Sequence, residues 1–181
     1  ATDPSGNVSG KAEATVDALA PAMPAMDALN DTNPIRGSAE AGSMVTVTFP
    51  DGSTVTTTAG PDGKFTVTNP GDLEDGQTII VTATDVAGNI SAPAQVVIDA
   101  VAPNAPTVET IVGDHDIVGE AEPGSTVTVT YPDGSTANTL ADENGHFTLH
   151  NPGLNPGEKV TVSATDAAGN VSPPTEAYMV P

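Results

Sequence analysis

The residues best suited to chemistry are acidic and amide side chains that recur in one motif, Asp-x-x-Gly-Asn. The motif occurs three times, at residues 3–7, 85–89 and 166–170. Carboxylate, amide and backbone carbonyl oxygens are the ligands that Ca²⁺ prefers in proteins. The chain has no Cys and no well-placed His, so it offers little to zinc or copper. The chemistry suggested by these residues is the binding of a hard cation, with Ca²⁺ as the cofactor.

The same motif also has a simpler interpretation as a hairpin turn. Asp and Asn before Gly are ordinary turn residues, because their side chains bond to the nearby backbone. Asn7, Asn89 and Asn170 also begin Asn-x-Ser tripeptides, which fit the glycosylation sequence, but the turn explains the asparagine better. The residues leave open whether the motif is a turn alone or a turn that also binds an ion.

The charge of the chain limits its partners. Against 24 Asp and Glu stand 4 Lys and Arg, a formal net charge of −20. Nucleic acid and anionic lipid both require clustered cations, so neither is expected as a partner. No stretch approaches the roughly 18 apolar residues of a membrane span, so no membrane insertion is expected. The acidic residues either keep the chain soluble or are partly neutralised by bound cations. Bound cations would relieve repulsion, because two carboxylates about 4 Å apart repel by about 4 kcal/mol at an effective dielectric near 20.

The spacing of the motif indicates tandem domains. Its copies lie 82 and 81 residues apart, and a fixed period of this length is typical of a repeated domain. Residues 16–24 and 98–106 share a second pattern, an Asp followed by two prolines three apart, which predicts a short stiff linker. We therefore divide the chain into the C-terminal remnant of a preceding domain at 1–16, with a strand through Ala12 to Val16, and complete domains at 17–98 and 99–181.

Each domain has the pattern of an all-β fold. Residues 45–49 and 127–131 alternate apolar and polar side chains, as half-buried strands do, and Pro-Asp-Gly-Ser turns follow both. Further strands are predicted at 25–29, 35–39, 55–58, 64–68, 78–84 and 94–98, with repeats of them in the second domain. About seven short strands in about 80 residues predict tandem immunoglobulin-like β-sandwiches, arranged as an elongated rod.

Strand direction predicts where the carboxylates meet. Alternate loops of an antiparallel sandwich lie at the same pole, and the linker aspartate arrives at the pole that holds the Asp-x-x-Gly-Asn turn. We therefore expect three carboxylates to converge at each interdomain junction. The predicted ligands are Asp17, Glu40 and Asp85 at one junction, and Asp99, Glu122 and Asp166 at the next. Further candidate ligands are Asp3, Asn89, Asp142 and Asn170.

Three repeated phrases together resemble a known family. They are Gly-x-Ala-Glu-x-Gly-Ser, Ala-Thr-Asp-x-x-Gly-Asn-x-Ser and Val/Ile-Asp-Ala-x-Ala-Pro. Their combination resembles the bacterial Ig-like repeats of giant non-fimbrial adhesins and biofilm-associated surface proteins, over essentially the whole chain. The resemblance implies export by type I secretion, an extracellular or cell-surface location, and a long stalk of such domains. It also implies that Ca²⁺ at the junctions stiffens the stalk, with the six carboxylates as ligands.

The expected function is that of a structural stalk module of a large bacterial surface adhesin, serving cell adhesion, biofilm formation or virulence. Its expected partners are the neighbouring repeats and, through the full-length protein, a host-cell surface or other bacterial cells. The two-domain chain by itself is expected to be a monomer. No enzyme is expected, because the histidines have no counterparts in the first domain and no nucleophile motif or phosphate loop occurs.

Two other functions stay open at this point. The first is a ligand-binding Ig-like module that recognises a glycan or host receptor directly. Sugar binding usually needs aromatic platforms, and the few aromatic residues are mostly explained as core: Phe49, Phe65, Tyr131, Phe147 and Tyr178. The second is homophilic contact between chains.

Overall fold

A computed structural model describes residues 1–181, and all of its regular secondary structure is β-strand. The strands form four sheets, two for each half of the chain. No segment forms a helix long and apolar enough to cross a membrane. We refer to the halves as domain 1 (β1–β7) and domain 2 (β8–β15).

Domain 1 is built from seven strands in two sheets. The strands are β1 (Ala25–Met26), β2 (Ile35–Ser38), β3 (Met44–Thr48), β4 (Thr54–Thr58), β5 (Lys64–Val67), β6 (Thr78–Thr84) and β7 (Ala94–Val97). The smaller sheet has the order β1-β2-β5, and the larger has the order β4-β3-β6-β7. All of these pairings are antiparallel, and a parallel bridge between Leu29 and Ile98 joins the start of the domain to its last strand.

Domain 2 repeats this arrangement with one extra short strand. The strands are β8 (Thr107–Val108), β9 (Ile111–Val112), β10 (Ile117–Glu120), β11 (Thr126–Thr130), β12 (Thr136–Leu140), β13 (His146–Leu149), β14 (Lys159–Thr165) and β15 (Thr175–Val180). The sheets have the orders β13-β10-β8 and β12-β11-β14-β15-β9. β9 pairs in parallel with β15, in the position of the Leu29–Ile98 bridge.

The core follows from the alternation in the strands. In β3, Val45 and Val47 are fully buried while Thr46 is half-buried, and β11 shows the same alternation. Each domain has its own apolar cluster, with 14 buried residues in domain 1 and 10 in domain 2. Two sheets packed over a separate core in each half confirm the prediction of tandem immunoglobulin-like sandwiches.

A glycine is required in the central strand of each smaller sheet, where a side chain would overlap the neighbouring strand. A Cβ added to Gly119 of β10 would lie 2.0 Å from the carbonyl oxygen of Thr107 and 2.8 Å from the ring of Phe147. Gly37 has the same surroundings in domain 1, where its Cβ would lie 2.4 Å from the carbonyl oxygen of Ala25. These positions explain the glycine that opens the repeated phrase Gly-x-Ala-Glu-x-Gly-Ser.

The first residues differ from the prediction in one respect. Thr2 and Val8 form an antiparallel bridge around the first Asp-x-x-Gly-Asn turn, as expected of a hairpin. The strand predicted through Ala12 to Val16 is not formed, and residues 1–20 are exposed. A strand needs a hydrogen-bonding partner, and an isolated two-stranded hairpin is marginal in water. No other strand of the chain pairs with this segment.

Candidate functional site

Each Asp-x-x-Gly-Asn motif folds into the same closed turn. In the second copy, the two oxygens of the Asp85 carboxylate accept hydrogen bonds from Asn89, one from its backbone N–H at 2.9 Å and one from its side-chain Nδ2 at 2.8 Å. The backbone N–H of Asp85 donates to the carbonyl of Asn89 at 3.1 Å. Gly88 adopts a φ of 92°, a conformation that favours glycine. The structure therefore confirms that the motif forms a turn.

The other two copies repeat this geometry. Asp3 accepts from Asn7, and Asp166 accepts from Asn170, through the same pairs of atoms at 2.8–2.9 Å. The side-chain hydrogen bond from Asn89 lowers the pKa of Asp85 from its ordinary value, and the one from Asn7 does the same to the pKa of Asp3. Donated hydrogen bonds of this kind stabilise the ionised carboxylate.

The asparagine of the turn also binds the linker. Nδ2 of Asn170 donates to the backbone carbonyl of Asp99 at 2.7 Å, and Nδ2 of Asn89 donates to the backbone carbonyl of Asp17 at 3.1 Å. One amide group therefore joins the linker aspartate to the turn aspartate in each domain. We call this arrangement the asparagine clamp, formed by Asp17, Asn89 and Asp85 in domain 1 and by Asp99, Asn170 and Asp166 in domain 2.

Asp99 is bound from both sides. Its backbone N–H donates to the carbonyl of Leu29 in domain 1 at 3.0 Å, while its own carbonyl accepts from Asn170 in domain 2. The next residue, Ala100, donates its N–H to Oδ1 of Asp75 in domain 1 at 3.0 Å. The second linker is therefore attached to the β1–β2 and β5–β6 loops of domain 1 and to the turn of domain 2.

The two domains also contact each other directly. Nδ2 of Asn33, in the loop between Leu29 and β2, donates to the carbonyl of Ala168 in the domain 2 turn at 3.4 Å. Ala168 is 6% exposed, whereas its counterpart Ala87 in domain 1 is exposed. Buried Asn30 shapes the contacting loop, because its Oδ1 accepts from the backbone N–H groups of Thr32 and Asn33. Sequence reasoning missed Asn30 and Asn33.

The predicted glutamates are placed differently from the aspartates. Glu40 and Glu122 are exposed in the β2–β3 and β10–β11 loops, and their backbone carbonyls accept from Ser43 and Ser125. Their carboxylates make no hydrogen bond or ion pair with the rest of the chain. The Asp142 carboxylate accepts from the backbone N–H groups of His146 and Asn144 in its own turn, and these bonds lower its pKa.

The structure thus brings together only part of the predicted ligand set. The asparagine clamp joins Asp85 and Asp166 to the backbone carbonyls of Asp17 and Asp99. The carboxylates of Asp17 and Asp99 instead accept from backbone N–H groups two residues further along the linker. No group of three or more His, Cys, Asp or Glu side chains is arranged around one point in a way that could hold a metal ion. The oxygen donors fit a hard cation, and the ion pairs of the chain involve none of the clamp aspartates. The Ca²⁺ sites remain a prediction.

Comparison with known proteins shows the family. The sequence profile described as the bacterial Ig domain matches residues 20–99 and 102–180. The chain belongs to the bacterial Ig domain family. The resemblance seen in the three repeated phrases is thereby confirmed, and the two bacterial Ig domains account for most of the chain. The exact bounds predicted for the domains stay predictions. Comparison with curated proteins gives no match.

Comparison with solved structures finds similar chains in several kinds of protein. A biofilm associated protein BSP domain is 21% identical, covers 87% of this chain and 29% of its own, and has a TM-score of 0.41. The fibronectin(III)-like modules of Clostridium thermocellum CbhA are 15% identical over 92% of both chains, with a TM-score of 0.42. Two fibronectin type-III domains of chicken tenascin are 16% identical over 89% of this chain and 99% of theirs, with a TM-score of 0.34. The chain spans 29% of the length of the BSP-domain structure, and the family assignment rests on the profile matches.

Proposed function

We propose that this chain is a stalk segment of a large bacterial surface adhesin, located outside the cell, in which the two bacterial Ig domains act as a spacer rather than as an enzyme. The observation that carries the proposal is the attachment of Asp99 to both domains. A linker held by Leu29 on one side and by Asn170 on the other restricts bending at the junction. Restricted bending is what a stalk needs in order to hold a distant binding domain away from the cell.

The second part of the proposal is that Ca²⁺ strengthens this junction. Asp99, Glu122 and Asp166 would supply carboxylate oxygens, and Asn170 its amide oxygen; Asp17, Glu40, Asp85 and Asn89 would do the same at the preceding junction. The ion would supply positive charge between carboxylates that no Lys or Arg neutralises. All of these ligands are hard oxygens, which suit Ca²⁺.

The stabilisation expected from one Ca²⁺ ion is modest, but it is sufficient to favour the straight form of the junction. At about 1 mM ion and a dissociation constant of about 10⁻⁴–10⁻³ M, one site adds roughly 0.4–1.4 kcal/mol. Bent and straight forms contain the same folded domains, so a difference of this size changes their ratio by roughly two- to ten-fold. This free energy is small compared with the free energy of folding, but it is large enough to favour the straight form over bent ones.

Calcium calorimetry tests the ion, with matched variants. We expect the parent chain to bind Ca²⁺ and the double variant Asp99→Ala, Asp166→Ala to lose one junction's worth of ions. The control is Asp114→Ala, Asp133→Ala, which removes the same charge from exposed loops at the other end of the domain 2 strands. Equal binding by the two double variants, or none by the parent, would disprove the site.

Small-angle scattering tests the stalk. We expect a longer and narrower particle with Ca²⁺ than with chelator in the parent, and a smaller difference in the Asp99→Ala, Asp166→Ala variant. Identical scattering profiles of the parent in both conditions would contradict stiffening by the ion.

For the alternative of direct glycan recognition, the structure exposes one aromatic ring, that of Tyr178, which is 52% exposed. Phe49, Phe65 and Phe147 are 8%, 4% and 3% exposed, so their rings belong to the cores and cannot stack on a sugar. A reproducible hit of the two-domain chain on a glycan array would favour that function instead.

A further inference from the structure

Strand β4 presents a row of unpaired backbone groups. At the ends of the β3–β4 hairpin, Phe49 donates its N–H to Ser53 and Ala59 donates its N–H to Ser43, so residues 53, 55, 57 and 59 direct their backbone groups toward β3. The alternate residues of the strand point the other way. Thr54, Thr56 and Thr58 are exposed, and their backbone N–H and C=O groups have no partner in the chain.

This edge lacks the features by which sheet edges are normally protected. Charged side chains, prolines, bulges and very short strands discourage edge-to-edge pairing. β4 reads Thr-Val-Thr-Thr-Thr and contains none of them. β12, its counterpart in domain 2, is also free of charge and proline. Two neutral five-residue edges are notable in a chain of net charge −20.

The remaining edges of domain 1 are protected. β5 carries the exposed Lys64. β1 is two residues long and follows Pro24. The segment 23–29 lies beside β7, lines a cleft with residues 94–97 and forms the parallel bridge from Leu29 to Ile98, just beyond the end of β7. β4 is therefore the one edge of this domain that is both open and neutral.

The open edge is complementary to itself. If two copies pair antiparallel about a two-fold axis through Thr56, then Thr54 of each copy faces Thr58 of the other, and Thr56 faces Thr56. All three outward positions then form Thr–Thr pairs, which are favourable across strands. Closed two-fold symmetry is the commonest arrangement of protein dimers. We propose that this chain associates with a second copy of itself through β4, which joins the larger sheets of two stalks edge to edge.

Charge sets the conditions for this contact. Two copies of net charge −20 repel each other, and Asp51 and Asp62 lie just beyond the two ends of β4. The pairing itself involves neutral groups, so salt screens the repulsion without weakening the contact. The chain is therefore a monomer when dilute at low salt and associates as concentration and ionic strength rise.

Sedimentation equilibrium in chelator tests the proposal independently of any calcium site. We expect the weight-average mass at high salt to rise with concentration from the 18.0 kDa of one chain toward twice that value. Thr56→Lys places a long charged side chain of each copy against the other at the axis, the residue type that normally protects sheet edges, and should return the mass to that of one chain. The matched control is Thr46→Lys on β3, which lies beside Thr56 on the same face and adds the same charge. The control should associate as the parent does.

Several outcomes would overturn the proposal. A parent mass that stays at 18.0 kDa at every concentration and salt would do so. Equal loss of association in the Thr56→Lys and Thr46→Lys variants would show that the effect is not specific to the open edge of β4. Asn138 is the counterpart of Thr56 in β12. Loss of association in Asn138→Lys but not in Thr56→Lys would show that the contact forms through β12 instead of β4. Unchanged thermal unfolding of Thr56→Lys is the check that its lost association is not lost folding.

Discussion

Replacing Asn170 removes the donor of the clamp in domain 2. The side chain is 9% exposed, and its Nδ2 donates to the Asp99 carbonyl at 2.7 Å and to the Asp166 carboxylate at 2.8 Å. In Asn170→Ala both acceptors lose their partner. A neutral hydrogen bond contributes about 0.5–1.5 kcal/mol and one to a charged group about 1.5–3 kcal/mol. Because Asp166 is half-buried and water can reach it, we take the lower part of the second range and expect a loss of about 2–3 kcal/mol.

The loss of stability in Asn170→Ala should be confined to domain 2. For a domain of about 80 residues, 1 kcal/mol corresponds to about 4–8 °C in the unfolding midpoint, so the variant should unfold roughly 8–24 °C lower. Domain 1 has its own clamp at Asn89 and its own core, so its midpoint should not move. Calorimetric scanning in chelator resolves the two transitions. The control is Asn144→Ala, an exposed asparagine whose side chain makes no hydrogen bond.

The substitution Asn170→Asp sharpens the test. It keeps the shape of the side chain but exchanges the donor for a carboxylate beside Asp166, so in chelator it should destabilise domain 2 more than alanine does. If the proposed ion binds there, Ca²⁺ should restore part of the loss in Asn170→Asp and little of it in Asn170→Ala. A midpoint of Asn170→Ala within the error of Asn144→Ala would refute the assignment of the clamp as a stabilising contact.

Two further predictions concern the turn and the small sheet. Gly119→Ala should destabilise domain 2 by about 1–3 kcal/mol, because its Cβ would overlap the Thr107 carbonyl, whereas Gly10→Ala, with open space around it, should change nothing in thermal unfolding. The hydrogen bond from Asn89 lowers the pKa of Asp85 from 3.8, so its stabilisation is present above that value and is lost as the pH falls through the folded pKa. Asp85→Ala should therefore flatten the decline of the domain 1 midpoint below about pH 4; an unchanged slope would contradict this role.

The fold could be predicted because its signals are local. Alternation and turn residues placed β6 at 78–84 and β14 at 159–165, which are the observed bounds. Parallel pairing was not predicted: the segment 25–29 forms only a two-residue strand before the bridge from Leu29 to Ile98. Alternation shows which face of a strand is buried, but it does not show which neighbour the strand pairs with.

The contact between domains was harder to predict, because it joins residues that lie far apart in the sequence. The hydrogen bond from Asn33 to Ala168 joins residues 135 positions apart. Asn30 and Asn33 also break the repeat, since domain 2 has Val112 and His115 at the equivalent positions. A search for shared phrases between the repeats therefore passes over the residues that one domain uses to contact the next.

The turn formed by Asp-x-x-Gly-Asn and its contact with the linker are compatible. As a turn, the motif satisfies both oxygens of its aspartate within five residues. As a junction element, it still has the second amide hydrogen of Asn170, which reaches the carbonyl of Asp99. Closing the turn is what aims that hydrogen at the linker, so the local role creates the junction role. In the proposed site Asn170 would also supply its amide oxygen to the ion, and Asn170→Asp separates the contribution of the amide from that of the ion.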